Sequence, residues 1–499
     1  MRTDNSAAQC QREGRCGRMR LLRRRLHRLR LGTPDPVLRA TSTITMQEVG
    51  DLHLGTFADG SGYALNLREP GGVKYLSASA FVVLAKHLAS GDHAPRRAVP
   101  EHIALMRHGL LRQDAAPEKG CATSTLPSLT VWCHISNLCN LSCEYCYAGP
   151  SAQGTPSTQL MSATLARSAV DQIVDACKRL GFPRVVLKLA GGEPTLNIDG
   201  IAAICERARE RAAQNNIPVQ IQLITNGLFR HEVLLPLLRT FAIGVSISVD
   251  GVSAESNRAR LPSPLAAGAL VLRRVLSTIR ILGVERIPRF VLCTLTPKSI
   301  EGLAGLADFC MSERVGFRLS LVRDARPTMQ GVTLEKTVRG LSAFYQRIAE
   351  VYPPDMPIAR FARFGNTTLR RTRASFCGRG SHMIAIGHDG GLAACQMALA
   401  RPIGALDNPG VFAALTRLRE ENGGAIAGSY LPRCLGCPWT NVCRGGCPAH
   451  TEMMSEGPQR SPWCAVYSQV LPPYVRAIAT QAKRFIGTPL SRQSLGRGA

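Results

Sequence analysis

The sequence predicts an α/β protein built on parallel strands, and three observations carry that expectation. Strand-like and helix-like patterns alternate six times between residues 130 and 352. Polar or glycine-rich stretches follow the first four strand patterns, at the end where parallel α/β folds bind ligands. Clustered cysteines fall at the first of those strand ends and again in the C-terminal third. A chain of 499 residues with 45% hydrophobic content can bury one large core and one or two smaller ones.

Residues 1–45 are expected to form a basic, disordered arm. Nine arginines between residues 12 and 30 stand against one acid, Glu13. Such an arm either grips phosphate or an acidic partner, or is a leader that is never translated, since Met19 and Met46 are both candidate starts. Residues 46–117 read as a small α+β module. Strand alternation at 52–54, 63–67 and 75–76 gives way to helical periodicity over 78–88, with Phe81, Leu84 and Leu88 on one side, and over 101–108. Strands followed by helices at this length resemble the winged-helix element that binds leader peptides in peptide-modifying enzymes; the bland alternative is a structural cap.

From residue 130 the strand patterns fall at 131–136, 184–189, 219–224, 244–249, 289–294 and 317–322. Helical patterns follow each, at 160–179, 201–213, 232–240, 265–282, 300–313 and 334–351. Six βα units in sequence mean parallel strands covered by helices, as a barrel or as an open doubly wound sheet. Residues 353–472 hold the second cysteine system, and 473–499 a helix and a basic tail.

The first strand pattern runs into Cys139-x3-Cys143-x2-Cys146. Three thiols on one loop leave a tetrahedral zinc or a four-iron cubane one protein ligand short, so the site either borrows a distant residue or keeps an open position. The later strand patterns end in Gly191-Gly192-Glu193-Pro194, in Thr225-Asn226-Gly227, and in Ser248 followed by Asp250-Gly251. Paired glycines let a backbone come close to a ligand, Glu193 can accept from an ammonium group, and short hydroxyl and amide side chains can fix a ribose or carboxylate. Taken singly, each is an ordinary turn after a strand. Together, with Tyr145 before the last thiol, they resemble in order and spacing the motifs of the radical SAM superfamily. That resemblance implies a partial (β/α)6 barrel. It also implies a [4Fe-4S] cluster on Cys139, Cys143 and Cys146 whose open iron chelates S-adenosylmethionine (SAM), which reductive cleavage turns into a 5′-deoxyadenosyl radical. On the same resemblance Gly191, Gly192 and Glu193 hold the methionyl amino group, Thr225, Asn226, Ser248 and Asp250 line the ribose or carboxylate side, and Tyr145 lies near the adenine. Related maturases follow the serine–aspartate stretch with a His-Asp pair and then an arginine. Ser256 and Asn257 replace the pair here, while Arg260 is kept and is expected to meet the SAM carboxylate.

The C-terminal cysteines are Cys377, Cys395, Cys434, Cys437, Cys443, Cys447 and Cys464. Their intervals resemble the SPASM domain of radical SAM peptide maturases, which holds two auxiliary [4Fe-4S] clusters. By that resemblance Cys434, Cys437, Cys443 and Cys464 hold the outer cluster, and Cys377, Cys395 and Cys447 the inner one, whose fourth ligand has no obvious thiol. A pair of zinc ribbons is the alternative. Cys133, Cys177, Cys205, Cys293 and Cys310 fall inside strand or helix patterns and read as small core residues.

The function this implies is a radical SAM/SPASM enzyme, an oxidoreductase that modifies a ribosomally synthesised peptide or protein by crosslink, thioether, epimerisation or oxidation. A flavodoxin or ferredoxin is its expected electron donor. An anaerobic sulfatase-maturating enzyme is the named alternative, but such enzymes place a proton-accepting Asp just after the second auxiliary-cluster cysteine, where Gln396 stands here. A non-catalytic metal or electron-transfer protein is the alternative of another class. The net charge of +26 and pI of about 10.0 favour acidic partners in general, though nucleic acid is not the expected one. No run of eighteen apolar residues and no secretory h-region occurs, so no membrane partner is expected and the chain is expected in the cytoplasm.

Overall fold

The computed structural model describes residues 47–49, 52–67, 72–90, 101, 105, 110, 127–148, 159–260, 265–322, 334–353, 363–364, 367, 369, 377–421, 434, 437–449, 461 and 463–486. The basic arm, most of 101–117 and the tail beyond 486 lie outside them. Two compact units divide the chain, residues 1–119 and 120–499.

In the first unit, β1 (Gln47–Val49), β2 (Leu52–Thr56), β3 (Gly62–Asn66) and β4 (Lys74–Leu76) form an antiparallel meander in chain order, followed by α1 (Ala78–Ser90). Leu52, Leu54, Ala64 and Leu76 supply one apolar face, on which Leu84 of α1 packs with Leu105 and Leu110. Gly62 admits that helix, because the Phe81 ring lies 2.2 Å from where a Cβ would stand. The opposite face is buried as well, with His53 1% and Tyr63 0% exposed.

The second unit is organised on β5 (Leu129–Ser136), β6 (Val185–Gly191), β7 (Val219–Thr225), β8 (Gly244–Ser248), β9 (Arg289–Leu295) and β10 (Gly316–Leu321). All six are parallel and neighbour one another in chain order, as the alternating pattern predicts. Between them run α2 (Ala163–Arg179), α3 (Ile198–Asn215), α4 (His231–Thr240), α5 (Leu265–Val284), and the pair α6 (Pro297–Glu301) and α7 (Leu303–Ser312); α8 (Leu334–Val351) follows β10. Strand alternation explains the layering. Val131, Cys133, Ile135, Leu187, Leu189 and Leu223 are almost completely buried on the helix-covered face, whereas Trp132, Lys188, Gln222, Ser246 and Arg318 are half-buried on the other. The inner face is therefore largely polar, unlike the filled interior of a closed eight-stranded barrel.

Four short strands extend this sheet beyond the expected six. β11 (Arg363–Phe364) pairs parallel with β10, and β12 (Met383–Ile386) pairs parallel with β5. β13 (Gly391–Ala393) and β14 (Gly404–Ala405) continue antiparallel from β12. The cysteine-rich region thus begins as a continuation of the sheet. α9 (Gly410–Glu421) packs on α2, where Gln172 donates to Leu406 O at 2.7 Å and accepts from Val411 N at 3.1 Å. After α10 (Thr440–Cys443), α11 (Cys464–Ile486) packs on α8 through Tyr345 and Tyr474, with ring centroids 5.0 Å apart. The helix expected from 473 thus starts at Cys464 and runs through Pro472 and Pro473.

Caps fix where the site-bearing loops end. Ser162 accepts from Leu165 N at the start of α2, so the helix begins at Ala163 and not at residue 160. Asn197 caps α3 on Gly200 N at 2.9 Å, and its amide also donates to Ile135 O at 2.8 Å and Met161 O at 2.9 Å, tying the end of β5 to its neighbours.

Candidate active site

The Cys139, Cys143 and Cys146 loop leaves the C-terminal end of β5 and is held from three sides. Gly192 N donates to Ser136 O and Glu193 N to Leu138 O, both at 2.7 Å. A Cβ on Gly191 would stand 2.2 Å from Ser136 O, and one on Gly192 2.4 Å from Leu138 O. The glycine pair thus lets the β6 loop lie against the cysteine loop's own backbone. From β7, Asn226 Nδ2 donates to Asn140 Oδ1 at 2.6 Å, and Asn140 Nδ2 donates to Leu228 O at 3.3 Å. From beyond β8, Ala259 O accepts from Glu144 N at 2.8 Å.

Glu193 sits where these ties converge, with no exposed surface. Its Oε1 accepts from Thr195 N at 3.1 Å, Thr195 Oγ1 at 2.7 Å and Thr225 Oγ1 at 2.7 Å; its Oε2 accepts from Asn226 N at 2.8 Å. Burial raises its proton affinity, and these four bonds oppose the shift. The carboxylate clasps the rims of β6 and β7, and Thr225 extends the clasp by accepting from Gly227 N at 3.0 Å.

A second buried network joins the cysteine loop to β8. Tyr145 Oη donates to Asp250 Oδ2, Thr294 N donates to Asp250 Oδ1 at 2.8 Å, and Arg260 Nη1 donates to Tyr145 Oη at 3.0 Å while standing 3.8 Å from Asp250 Oδ1. Asp250 and Arg260 are 0% and 6% exposed. Burial raises the Asp250 carboxyl, against the pull of Arg260 and these donors. Burial also disfavours the Arg260 cation, but Tyr145, Cys143 and Asp250 outweigh it and hold the guanidinium charged. Arg260 acts on the thiols in turn. Burial pushes Cys143 up to about 11 and also raises Cys139, and Arg260 opposes both shifts. Asn257 shapes the turn, accepting from Asp250 N at 2.8 Å and donating to Gly251 O at 2.8 Å and Ser253 O at 2.9 Å. Ser256 bonds Ser253 at 2.8 Å, and Ser248 is half-buried at the end of β8.

The C-terminal thiols divide. Cys443 is pushed up to about 12 by burial, with Cys437, Cys434 and Cys464 adding to the rise, so these four share one electrostatic environment. Backbone bonds fix their loop: Cys437 N to Cys434 O at 3.1 Å, Gly446 N to Cys443 O at 3.0 Å and Cys464 N to Ser461 O at 2.9 Å, with Thr440 Oγ1 donating to Cys434 O at 2.6 Å. Cys395 follows β13, Cys377 precedes the Arg379–Met383 bridge, and Cys447 follows α10. Cys133, Cys177, Cys205, Cys293 and Cys310 are buried. Among the described residues no group of three or more His, Cys, Asp or Glu is arranged to hold a single metal ion. Arg318 lies mid-strand on β10.

Residues 134–310 match the radical SAM superfamily. That stretch, β5 to α7, is a radical SAM domain. Solved radical SAM structures share its fold. Native anSMEcpe with bound AdoMet and Cp18Cys peptide aligns at a TM-score of 0.57 and 17% identity, over 72% of this chain and 99% of that one. Streptococcus suis SuiB bound to S-adenosylmethionine aligns at 0.50 and 13%, over 84% and 99%. Among curated proteins, the GTP 3′,8-cyclase of Rhodococcus opacus (strain B4) is 28% identical over 190 residues, 37% of this chain and 48% of that protein. An S-adenosylmethionine-dependent nucleotide dehydratase of Psychrobacter lutiphocae is 29% identical over 136 residues, 26% and 43% of the two chains. The chain thus spans less than half the length of these two relatives.

SAM and an iron–sulfur cluster, which the superfamily implies, fit the residues present. Three thiols share one loop, a buried guanidinium favours the thiolate forms of Cys139 and Cys143, and polar groups of three strand ends face the loop. Spacing alone finds the thiols and the rim motifs. It does not find Asn140, Thr195 or Asn197, which act through contacts across the fold.

Proposed function

We propose that this radical SAM enzyme modifies a ribosomally synthesised peptide or protein, by crosslinking, thioether formation, epimerisation or oxidation. What supports the reading is the second thiol system, in which Cys437, Cys434 and Cys464 each act electrostatically on Cys443, in the same unit as the Cys139 loop. Four thiolates at one place suit an auxiliary [4Fe-4S] cluster, and Cys377, Cys395 and Cys447 are assigned to a second. The aligned structures lend support, since anSMEcpe was solved with a peptide and SuiB with its precursor peptide SuiA.

When bound, SAM and the reduced cluster supply a 5′-deoxyadenosyl radical that takes a hydrogen atom from the substrate. The chain's own part is positional. Cys139, Cys143 and Cys146 hold the cluster, with Arg260 favouring the thiolate forms of Cys139 and Cys143. Gly191, Gly192 and the Glu193 clasp shape the methionyl end, Thr225, Asn226, Ser248 and Asp250 the ribose and carboxylate side, and Tyr145 the adenine side. The largely polar inner face receives the substrate, and a flavodoxin or ferredoxin is the assigned electron donor. Residues 46–117 are assigned to leader-peptide binding.

Anaerobic reconstitution tests this. About twelve irons per chain and reductive cleavage of SAM to 5′-deoxyadenosine are expected for three cubanes; bound zinc without SAM turnover would leave a non-catalytic metal protein. Co-expression with each small peptide encoded beside the gene should shift one peptide's mass, and unchanged masses throughout would reject the peptide substrate.

A further inference from the structure

Among the described residues, Arg260 is the only buried arginine or lysine. Ala259 O accepts from Glu144 N at 2.8 Å and Arg260 Nη1 donates to Tyr145 Oη at 3.0 Å, so residues 259 and 260 run beside the stretch from Cys143 to Cys146. The turn before them fixes where the charge stands. Arg260 N donates to Asn257 O at 2.9 Å, and the Asn257 side chain accepts from Asp250 N at 2.8 Å, which sets Arg260 Nη1 3.8 Å from Asp250 Oδ1. Arg260 is 6% and Asp250 0% exposed, so little water is left to screen either charge.

A buried cation is costly and calls for a reason. Asp250 alone does not supply it, because its carboxylate already accepts from Tyr145 Oη and from Thr294 N at 2.8 Å. The guanidinium bonds the phenol and does not make the two-pronged contact that an arginine–carboxylate pair adopts. The thiols supply a better reason. Glu193 adds negative charge at Cys139 and Asp250 does so at Cys143, and Arg260 is the cation that opposes both.

We infer, on the assignment of a cluster to Cys139, Cys143 and Cys146 proposed above, that Arg260 sets that cluster's reduction potential, its buried positive charge favouring the form that has gained an electron. Reduction adds one negative charge to a site that already holds three thiolates and the Glu193 and Asp250 carboxylates. In a place with little water that step is costly unless a fixed cation offsets it, and net local charge is one of the determinants of a cluster's potential. The electron comes from the flavodoxin or ferredoxin assigned above and goes on to SAM, so Arg260 itself gains and loses nothing. It is a positioning residue whose position matters through its charge. Asp250 acts in the opposite direction, and the pair fixes the potential between them. The nature of the substrate plays no part in this.

The test is a redox titration of the full-length, iron-loaded enzyme followed by electron paramagnetic resonance. The cluster on the Cys139 loop is recognised as the signal that changes when SAM is added. Its midpoint is then measured without SAM, so that contacts to SAM have no influence. Arg260→Gln, which can still donate to Tyr145 Oη, should lower the ratio of reduced to oxidised cluster at a fixed potential about tenfold, a downward shift of about 59 mV for one electron. Arg260→Lys, which keeps the charge, should stay within about threefold of wild type. Asp250→Asn should raise the ratio, and signals indifferent to SAM should not move in any variant. A ratio in Arg260→Gln within about twofold of wild type overturns the inference. Shifts of the same sign in Arg260→Gln and Asp250→Asn overturn it too, since they mark a loosened loop and not a charge. Where Arg260→Gln takes up less iron, Asp250→Asn decides alone, and a midpoint that does not rise counts against Arg260. If no signal responds to SAM, the cluster assignment itself fails and the role of Arg260 falls with it.

Discussion

Replacing Glu193 separates two roles that the sequence alone merges, a ligand for the SAM ammonium and a clasp between strand rims. The carboxylate has no exposed surface and accepts four hydrogen bonds. In Glu193→Ala the two hydroxyls of Thr195 and Thr225 can turn, but Thr195 N and Asn226 N cannot. Two buried backbone donors without acceptors cost about 1–3 kcal/mol each, so a loss of about 4 kcal/mol is expected. Glu193→Gln keeps one oxygen for the threonines and sets an amide NH2 against Asn226 N, so about 1–2 kcal/mol should be lost. Denaturant unfolding of the cluster-free full chain measures both, since neither SAM nor iron is then involved. Hydrogen exchange at Asn226 N should accelerate in step. A Glu193→Ala protein within about 0.5 kcal/mol of wild type, yet unable to bind SAM, would show that the carboxylate faces ligand and that the clasp reasoning is wrong.

Three further outcomes follow from the same contacts. Gly192→Ala sets a Cβ 2.4 Å from Leu138 O, a backbone atom, so it should cost about 2–3 kcal/mol and lower iron incorporation at the Cys139 loop, read by unfolding and iron analysis. Cys443→Ser should remove about four irons per chain and one paramagnetic signal on reduction, and an unchanged iron content would break the assignment of Cys434, Cys437, Cys443 and Cys464 to one cluster. His53 is held down to about 4 by burial, against 6.5 when unfolded, so the fold favours its neutral form; the stability this gives is complete above pH 6.5 and falls away as pH drops toward 4. Taking the first unit from pH 7 to pH 5 should therefore cost about 2 kcal/mol through His53, and the loss should shrink in His53→Phe when both are unfolded in denaturant at the two pH values.

The six parallel strands were legible because burial on one face writes a two-residue repeat into the chain, as in Val131, Cys133 and Ile135. β12 to β14 were not, because strands of four, three and two residues are too short to carry a repeat, and Met383–Ile386 reads as an unremarkable apolar run. The helix from Cys464 was cut short in sequence by Pro472 and Pro473, which the structure accommodates within it. At the site, spacing marked the residues but not their partners. The Tyr145 and Asp250 side chains that bond are 105 positions apart, and Glu193 and Thr225 are 32 apart. The glycine pair shows the limit most clearly, since its residue type announces a close approach, and only the structure shows that the surface approached is the backbone of residues 136–138.

These partners fix the shape of the cysteine loop. A loop carrying three thiols between two mobile ends would lose backbone freedom on taking up a cluster, which weakens binding. Here Gly192 and Glu193 fix its base, Asn226 grips Asn140 between the first two thiols, and Asp250 with Arg260 holds Tyr145 between the last two. Each grip comes from a different strand end, so the loop's geometry is set by the register of the parallel sheet. Arg260 ties electrostatics to the same frame, because the guanidinium that bonds Tyr145 also favours the thiolate forms of Cys139 and Cys143. A substitution that slackens one strand end should therefore disturb cluster loading and SAM placement together.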